Sequence, residues 1–269
     1  MPELPEVEAV CRKLRVEAAR RTLVRMRIER ANMVKPHPPP VLCQLVEGRQ
    51  VESVERRGKN ILLGLSGMGL LHVHLGMTGN LFVIPDVRFR CLSARIWFEL
   101  DDGKGLIFED PRTLGRLRFY HRQEASGLLA ELGVEPLSDQ FTLSRFVELA
   151  RSSRQPAKIF LMDQRRIAGL GNIYAAEALF RARMDPRKSL SRVSRKKLAA
   201  LHQAIVEVLN QAVECAVKAY AKPGVFQEAE EFPCQVYARE GKPCLRCGHS
   251  IRRIHQGGRS TYFCPACQR

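Results

Sequence analysis

No apolar run in this chain of 269 residues approaches the ~18 positions that a membrane-spanning helix needs, so no transmembrane segment is expected. The N-terminus lacks the apolar stretch of a secretory signal, and no lipid-anchor motif accompanies the charge. These absences predict a soluble, intracellular, cytoplasmic protein without a membrane partner. Outside a secretory route, the nine cysteines are not expected to form a disulfide framework. Acidic residues are scarce: 28 Asp and Glu face 44 Lys and Arg, for a formal net charge of +16. The surplus is spread over Arg12 to Arg30, Arg56 to Lys59, Arg151 to Arg166 and Arg181 to Lys197 rather than held in a tail. A solvated basic surface is the plain reading, but the pattern favours a polyanionic partner, and nucleic acid over an anionic membrane. The length leaves room for two or three modest domains.

What is present begins at the first residues, MPELPEVE. If Met1 is removed, Pro2 presents a free secondary amine, and an α-amino group titrates near ~7.7–8, so a useful fraction is nucleophilic at neutral pH. Attack of that amine on a sugar carbon gives an iminium with no N–H to lose, which stays cationic and withdraws electrons. Glu3 and Glu6 set two carboxylates beside it, a pattern suited to acid or base work. Taken singly, Pro2 reads as an ordinary helix start. Val7, Val10, Cys11 and Leu14 have helical spacing, so an amphipathic helix follows Pro5 in either case.

Val24, Met26 and Ile28 alternate with charged residues and predict a strand, followed by an irregular connection marked by Pro36, Pro38, Pro39 and Pro40. Short strand patterns recur at residues 50–55, 60–65, 70–75, 80–84, 94–100 and 105–109, the last two flanking a hairpin turn at 101–104. Many short strands with regular turns predict a β-sandwich of two sheets, with the first helix against it. Lys59, at the turn after Arg56-Arg57-Gly58, alone reads as an exposed turn lysine. His72 and His74 share a strand face, but no third metal ligand stands near, so polar surface is the expectation. Asp110-Pro111-Arg112-Thr113-Leu114-Gly115 reads as a tight loop in which Arg112 could simply be solvated.

The strand pattern stops around Val134 to Asp139, which predicts a domain boundary. Helical patterns cover 142–150, 156–163 and 172–183, then a long amphipathic helix with Leu198, Leu201, Ile205, Val208, Leu209 and Ala212 on one face. Gly169-x-Gly171 is no dinucleotide loop, because Tyr174 stands where a third glycine is required and no strand precedes it. Glycines before a helix N-terminus do allow a close phosphate, to which Asn172 adds an amide; a helix-capping asparagine is the equal alternative. Cys244-x2-Cys247, sixteen residues, then Cys264-x2-Cys267 has the spacing of a four-cysteine zinc site. Four thiolates fill a tetrahedral shell, so one structural Zn2+ is expected rather than a catalytic ion. Between the pairs, residues 251–255 and 260–263 read as a hairpin with Arg259 near its tip. The module from Arg239 to Arg269 carries seven Lys or Arg against one acid, which favours DNA contact.

In order along nearly the whole chain, MPELPEVE, RRGK, HLGM, DPR, GLGNIYAAE, PGVFQ and the cysteine hairpin closely resemble the formamidopyrimidine-DNA glycosylase and endonuclease VIII family of base-excision enzymes. The resemblance implies an α+β multidomain fold: an N-terminal β-sandwich with its helix at 1–134, a helix–two-turns–helix domain at 135–222, and a lesion-loop remnant with a four-cysteine zinc-finger β-hairpin at 223–269. It implies Pro2 as nucleophile, Glu3 as the acid that protonates the opening sugar, Glu6 as an orienting group, and Lys59 and Arg259 as proton donors for successive eliminations. His74, Met77, Arg112 and Leu114 match DNA-facing positions, the last three filling the hole left by a flipped base. Arg154, Lys158 and Asn172 match contacts to the DNA backbone.

This chain departs from the pattern in having Leu114 where phenylalanine is common, and in lacking a histidine on the strand before DPR, for which Arg95 is a candidate substitute. The loop that covers the everted base in the family is also altered, shortened before Pro223-Gly224-Val225-Phe226-Gln227 and lengthened at 228–234. The expected activity is a base-excision DNA glycosylase with AP lyase activity on oxidised purines in double-stranded DNA. The protein is expected to be monomeric, nucleoid-associated through its DNA, and without a small-molecule cofactor. An endonuclease VIII-like enzyme for oxidised pyrimidines and a non-catalytic zinc-dependent binder of damaged DNA are the alternatives.

Overall fold

The structure, a computed structural model, describes residues 2–88, 92–221, 229 and 231–269. The expected lesion-covering segment Pro223 to Gln227 lies outside them. Among the described residues, no helix is long and apolar enough to cross a membrane. The chain divides into two compact units, one of residues 1–131 and 219–228, the other of 132–218 and 229–269.

The first unit opens with helix α1 (Leu4–Glu17), which buries Leu4, Val7, Val10, Cys11 and Leu14, the stripe that the periodicity predicts. Eight antiparallel strands follow: β1 (Thr22–Ile28), β2 (Arg49–Arg57), β3 (Asn60–Leu65), β4 (Gly69–His74), β5 (Asn80–Ile84), β6 (Ala94–Leu100), β7 (Gly105–Glu109) and β8 (Arg116–His121). Their hydrogen-bonded order is β5-β7-β6-β1-β2-β3-β4-β8. The expected two sheets are the four-stranded halves of this order, joined by a short β1–β2 pairing in which Thr22 faces Gln50 and Leu23 faces Arg49. Irregularities at Leu23/Arg25 and Val51/Ser53 flank that seam, and such bulges bend strands. One of them turns Val24 outward to 48% exposure and Leu23 inward, against the strict alternation expected of β1.

Two helices complete this unit without having been foreseen. The proline-rich connection folds as α2 (Pro39–Val46), with Pro39 at a helix start where a missing N–H costs nothing. After β8 comes α3 (Arg122–Ala130), in which Glu124 accepts from the His121 N–H.

The second unit holds α4 (Leu143–Arg151), α5 (Ala157–Met162), α6 (Asn172–Arg181), all but the last residues of α7 (Arg195–Ala221), and the hairpin β9 (Arg252–Gln256) and β10 (Arg259–Phe263). Thr142 caps α4 by accepting from the Arg145 N–H. The zinc-finger segment packs on α6 through Ala176, Phe180, Val236, Cys244, Ile251 and Cys264. Glu177 of α6, 3% exposed, takes the backbone N–H groups of Gln235, Val236 and Tyr237 at 2.8–3.0 Å. Arg246 lies over the Phe180 ring and donates to its carbonyl. Gln268 ties the last turn to the Met184 carbonyl at 2.9 Å.

Candidate active site and nucleic-acid interface

In the first unit the start of α1 is packed inside the protein. Pro2 is buried, Glu3 is 2% exposed and Glu6 is fully buried. The Glu6 carboxylate accepts the Glu3 N–H at 2.8 Å, so the two acids are fixed with respect to each other and to the first turn. Lys59 is 8% exposed, which corrects the reading of it as a solvated turn lysine. Holding an ammonium there requires that its turn be built around it.

That construction runs through Glu8, a residue of the opening motif that sequence reasoning left unassigned. Its carboxylate binds Arg56 of β2 at 2.9 Å, and Arg56 donates onward to the Gly58 carbonyl at 3.1 Å. The N-terminal helix and the turn bearing Lys59 are thereby locked together. Burial pushes Glu8 up, but Arg56, with Arg12 and Arg15, overcomes this and holds the carboxyl below its usual range.

His72 is buried and His74 half-buried, rather than both lying on the expected polar surface. His72 sits against the Asn60 amide oxygen at 2.8 Å, and burial, His74 and Arg118 push its pKa down to about 4. Burial, then Lys59 and Arg116, lowers His74, whose Nδ1 accepts the Gly76 N–H at 3.1 Å as a neutral ring must.

Met77, Arg112 and Leu114 are all exposed, on two loops that share one scaffold. Asp110, fully buried, accepts from Thr78 Oγ1 at 2.6 Å and from the backbone N–H groups of Gly115 at 2.7 Å and Arg112 at 3.2 Å. Its own carbonyl takes Arg95 Nε and the Thr113 N–H. Arg95, considered as a stand-in for the missing histidine, thus braces the loop. Gly76 has φ +68, and a Cβ there would come 2.7 Å from the Gly115 nitrogen, so only glycine permits this approach. Thr113 has φ 54, a strained value for a β-branched residue. The sequence signal for Asp110 was its place beside exposed Arg112 and Leu114, but Thr78, its partner, lies 32 residues away.

In the second unit Asn172 opens α6 after a turn folded by Gln164, which receives the Gly169 N–H and donates to the Leu170 carbonyl. The buried Asn172 Oδ1 has no hydrogen-bond partner among the described residues. A helix N-terminus of this kind favours an anion. Lys158, expected at the DNA backbone, is 1% exposed and reaches the Asn172 carbonyl with its Nζ at 2.6 Å, so it supports the helix start from within. Arg154 is exposed in the α4–α5 loop. Arg259 is exposed at the first residue of β10, after a turn in which Gly257 and Gly258 both have positive φ.

The four sulfurs of Cys244, Cys247, Cys264 and Cys267 lie within 4.8 Å of one another, with Cys247–Cys264 at 3.5 Å and Cys244–Cys267 at 4.0 Å. Tetrahedral zinc with ~2.3 Å bonds sets thiolates about 3.8 Å apart, so the set fits one Zn2+. This is a structural site: all four positions are protein sulfur.

Family models match three segments: the formamidopyrimidine-DNA glycosylase N-terminal domain at residues 1–117, its H2TH domain at 132–221, and a zinc finger found in FPG and IleRS at 241–269. The chain is 41% identical over 279 residues to the formamidopyrimidine-DNA glycosylase of Chloroflexus aggregans, covering 100% of this chain and 98% of the relative. The Gluconobacter oxydans protein of the same name is 39% identical over the full length of both. Among solved structures, the MutM (Fpg) protein from Thermus thermophilus is similar with TM-score 0.85 and 37% identity, covering 99% of this chain and 98% of the other. The Lactococcus lactis glycosylase non-covalently bound to DNA with an AP site is similar with TM-score 0.89 and 29% identity, covering 99% of each chain.

Proposed function

The chain belongs to the formamidopyrimidine-DNA glycosylase family, a base-excision repair glycosylase that acts on DNA and carries one structural zinc, and from that premise we propose how its own residues do the chemistry and on which lesions. The substrate is an oxidised purine, 8-oxoguanine or a formamidopyrimidine, in duplex DNA. The base must leave the stack, because its sugar carbon cannot be reached inside the duplex. Met77, Arg112 and Leu114 fill the space it vacates, an aliphatic wedge parting the neighbours.

Once Met1 is removed, the Pro2 nitrogen attacks C1′ as the glycosidic bond breaks, and the base leaves. Glu3 protonates the ring oxygen as the sugar opens, and the resulting iminium acidifies C2′. Loss of that proton expels the 3′ phosphate, and a second elimination expels the 5′ phosphate, with Lys59 and Arg259 as proton carriers. Glu6 holds the Glu3 backbone, and Asn172 binds a backbone phosphate. The observation that carries this reading is the buried start of α1 fixed to the Lys59 turn through Glu8 and Arg56. The protein is read as an intracellular monomer that works on the nucleoid.

Pro2→Gly impairs strand cleavage more than duplex binding; equal loss of both would count against the assignment. Excision compared on duplexes with 8-oxoguanine and with an oxidised pyrimidine favours the purine. Preference for the pyrimidine would transfer the chain to the endonuclease VIII-like reading.

A further inference from the structure

On the unit that carries Asn172, a cavity of about 750 Å³ opens beside the loop between α6 and α7. Arg154, Lys188, Arg192, Lys197 and Arg269 line it, all five are exposed, and none of the lining side chains is acidic. Among the described residues, none of these side chains is held in an ion pair; the nearby Asp185 is held by Arg187 at 2.7 Å, with Lys188 a weaker partner. Five like charges around one hollow repel each other in the free protein, an arrangement that an anion relieves.

The walls are built rather than loose. Pro156 bridges to Ser189, whose hydroxyl donates to the Ser153 carbonyl and lies 3.0 Å from the Ser191 hydroxyl. Arg151 secures the Ser191 carbonyl. Ser194 accepts the Lys197 N–H at the start of α7, so the positive end of a helix of 27 residues meets the cavity. Lys158 links the place to the phosphate position proposed at Asn172: its N–H binds the Pro186 carbonyl and its Nζ binds the Asn172 carbonyl. The neighbouring Ala157 N–H binds the carbonyl of Lys188 in the cavity wall, so the start of α5 ties that wall to the start of α6.

We propose that this cavity is a second backbone-phosphate station, which takes phosphodiesters of the duplex flank beyond the one held at Asn172. It rests on the DNA-binding reading and extends it to a surface that no lesion-contacting residue occupies. The station grips undamaged DNA as well as damaged DNA, because phosphates carry no sequence or lesion information.

The test uses the full-length, zinc-loaded protein and undamaged duplexes of increasing length, with affinity measured over a series of salt concentrations. Each phosphate contact contributes about 0.9 to the slope of log affinity against log salt, so Lys188→Gln/Arg192→Gln/Lys197→Gln lowers the slope by up to about 2.7. Over a fourfold range of salt this is a loss of ~40-fold in salt sensitivity. The variant also loses the affinity that longer duplexes add. A second triple variant, Arg20→Gln/Arg25→Gln/Arg27→Gln, removes the same charge from an exposed surface elsewhere and keeps the native slope. Zinc content and melting temperature verify that both variants are folded. Equal slopes for the two triples, or a cavity variant with the native slope, would overturn the station. Binding of a second duplex at saturation, instead of a length-dependent gain, would likewise overturn the assignment to the flank of the same DNA. Borohydride trapping of the wild type is run in parallel: a missing adduct would remove the lyase reading, whereas unchanged slopes with a normal adduct would remove only the station.

Discussion

Replacing Asp110 with asparagine tests whether the two wedge loops act as one scaffold. Oδ1 accepts from Thr78 Oγ1 and the Arg112 N–H, while Oδ2 accepts from the Gly115 N–H. An amide that keeps its oxygen toward Thr78 turns its NH2 toward the Gly115 N–H, so two donors face each other in a fully buried place. Leaving a buried donor unmatched costs about 1–3 kcal/mol. The strained Thr113, worth roughly another 1–3 kcal/mol when released, draws the loop away from its native shape. Each kcal/mol moves the melting temperature by roughly 2–4 °C in a domain of ~150–250 residues, so Asp110→Asn melts several degrees lower. If the loss falls on the step that evicts the base, excision slows by ~5- to 150-fold, a tenfold change for each ~1.4 kcal/mol. Strand cleavage at a preformed abasic site needs no eviction and is much less affected. Single-turnover rates on lesion duplex and abasic duplex make the comparison. An equal loss on both substrates, or no loss on either, would refute the idea that Asp110 serves the wedge.

Glu177→Gln keeps an oxygen for Val236 and Tyr237 but sets an NH2 against the Gln235 N–H, at a cost of about 1–3 kcal/mol. It therefore speeds zinc loss to a chelator, and an unchanged release rate would show that Glu177 does not anchor the finger. The Glu8 carboxyl is lowered on folding, so its contribution is full above the usual value of 4.5 and disappears as pH falls through the lower folded value. The melting-temperature gap between wild type and Arg56→Gln accordingly narrows as pH falls below 4.5; a gap that ignores pH would contradict the Glu8–Arg56 link. Chelation removes one zinc per chain and lowers duplex affinity, and added zinc restores it; full binding by the metal-free protein would exclude a structural role.

Much of the architecture was legible because the local signals agreed with the tertiary fold. The stripe of α1, the six strand patterns and the cysteine spacing each express a single period or ligand geometry. Other features depend on partners far away in the chain. Prolines at 36–40 read as irregular, although Pro39 suits a helix start. Strand β8 alternates correctly, with Leu117 and Phe119 buried, but its arginines and its place after the DPR loop masked it. Lys59 and His72 are polar residues that composition places outside, and their burial follows from the packing of α1, β2 and β4. At the site, the residues proposed to react stood in recognisable motifs. Their supports, Glu8, Asp110 and Glu177, stood in the same motifs, but what they hold did not show, since a carboxylate's partners at a distance of 32, 48 or 58 residues leave no local pattern. The finger also proved to share a unit with the helices, because its buried residues complete the surface of α6.

The central claim is that the Pro2 nitrogen becomes joined to deoxyribose. The direct measurement is borohydride reduction of the protein on lesion-containing duplex, followed by intact mass and peptide mapping of the adduct. A chain lacking Met1, with one sugar remnant on Pro2, is the predicted result. An adduct on Lys59 or another lysine, with Pro2 unmodified, would contradict it.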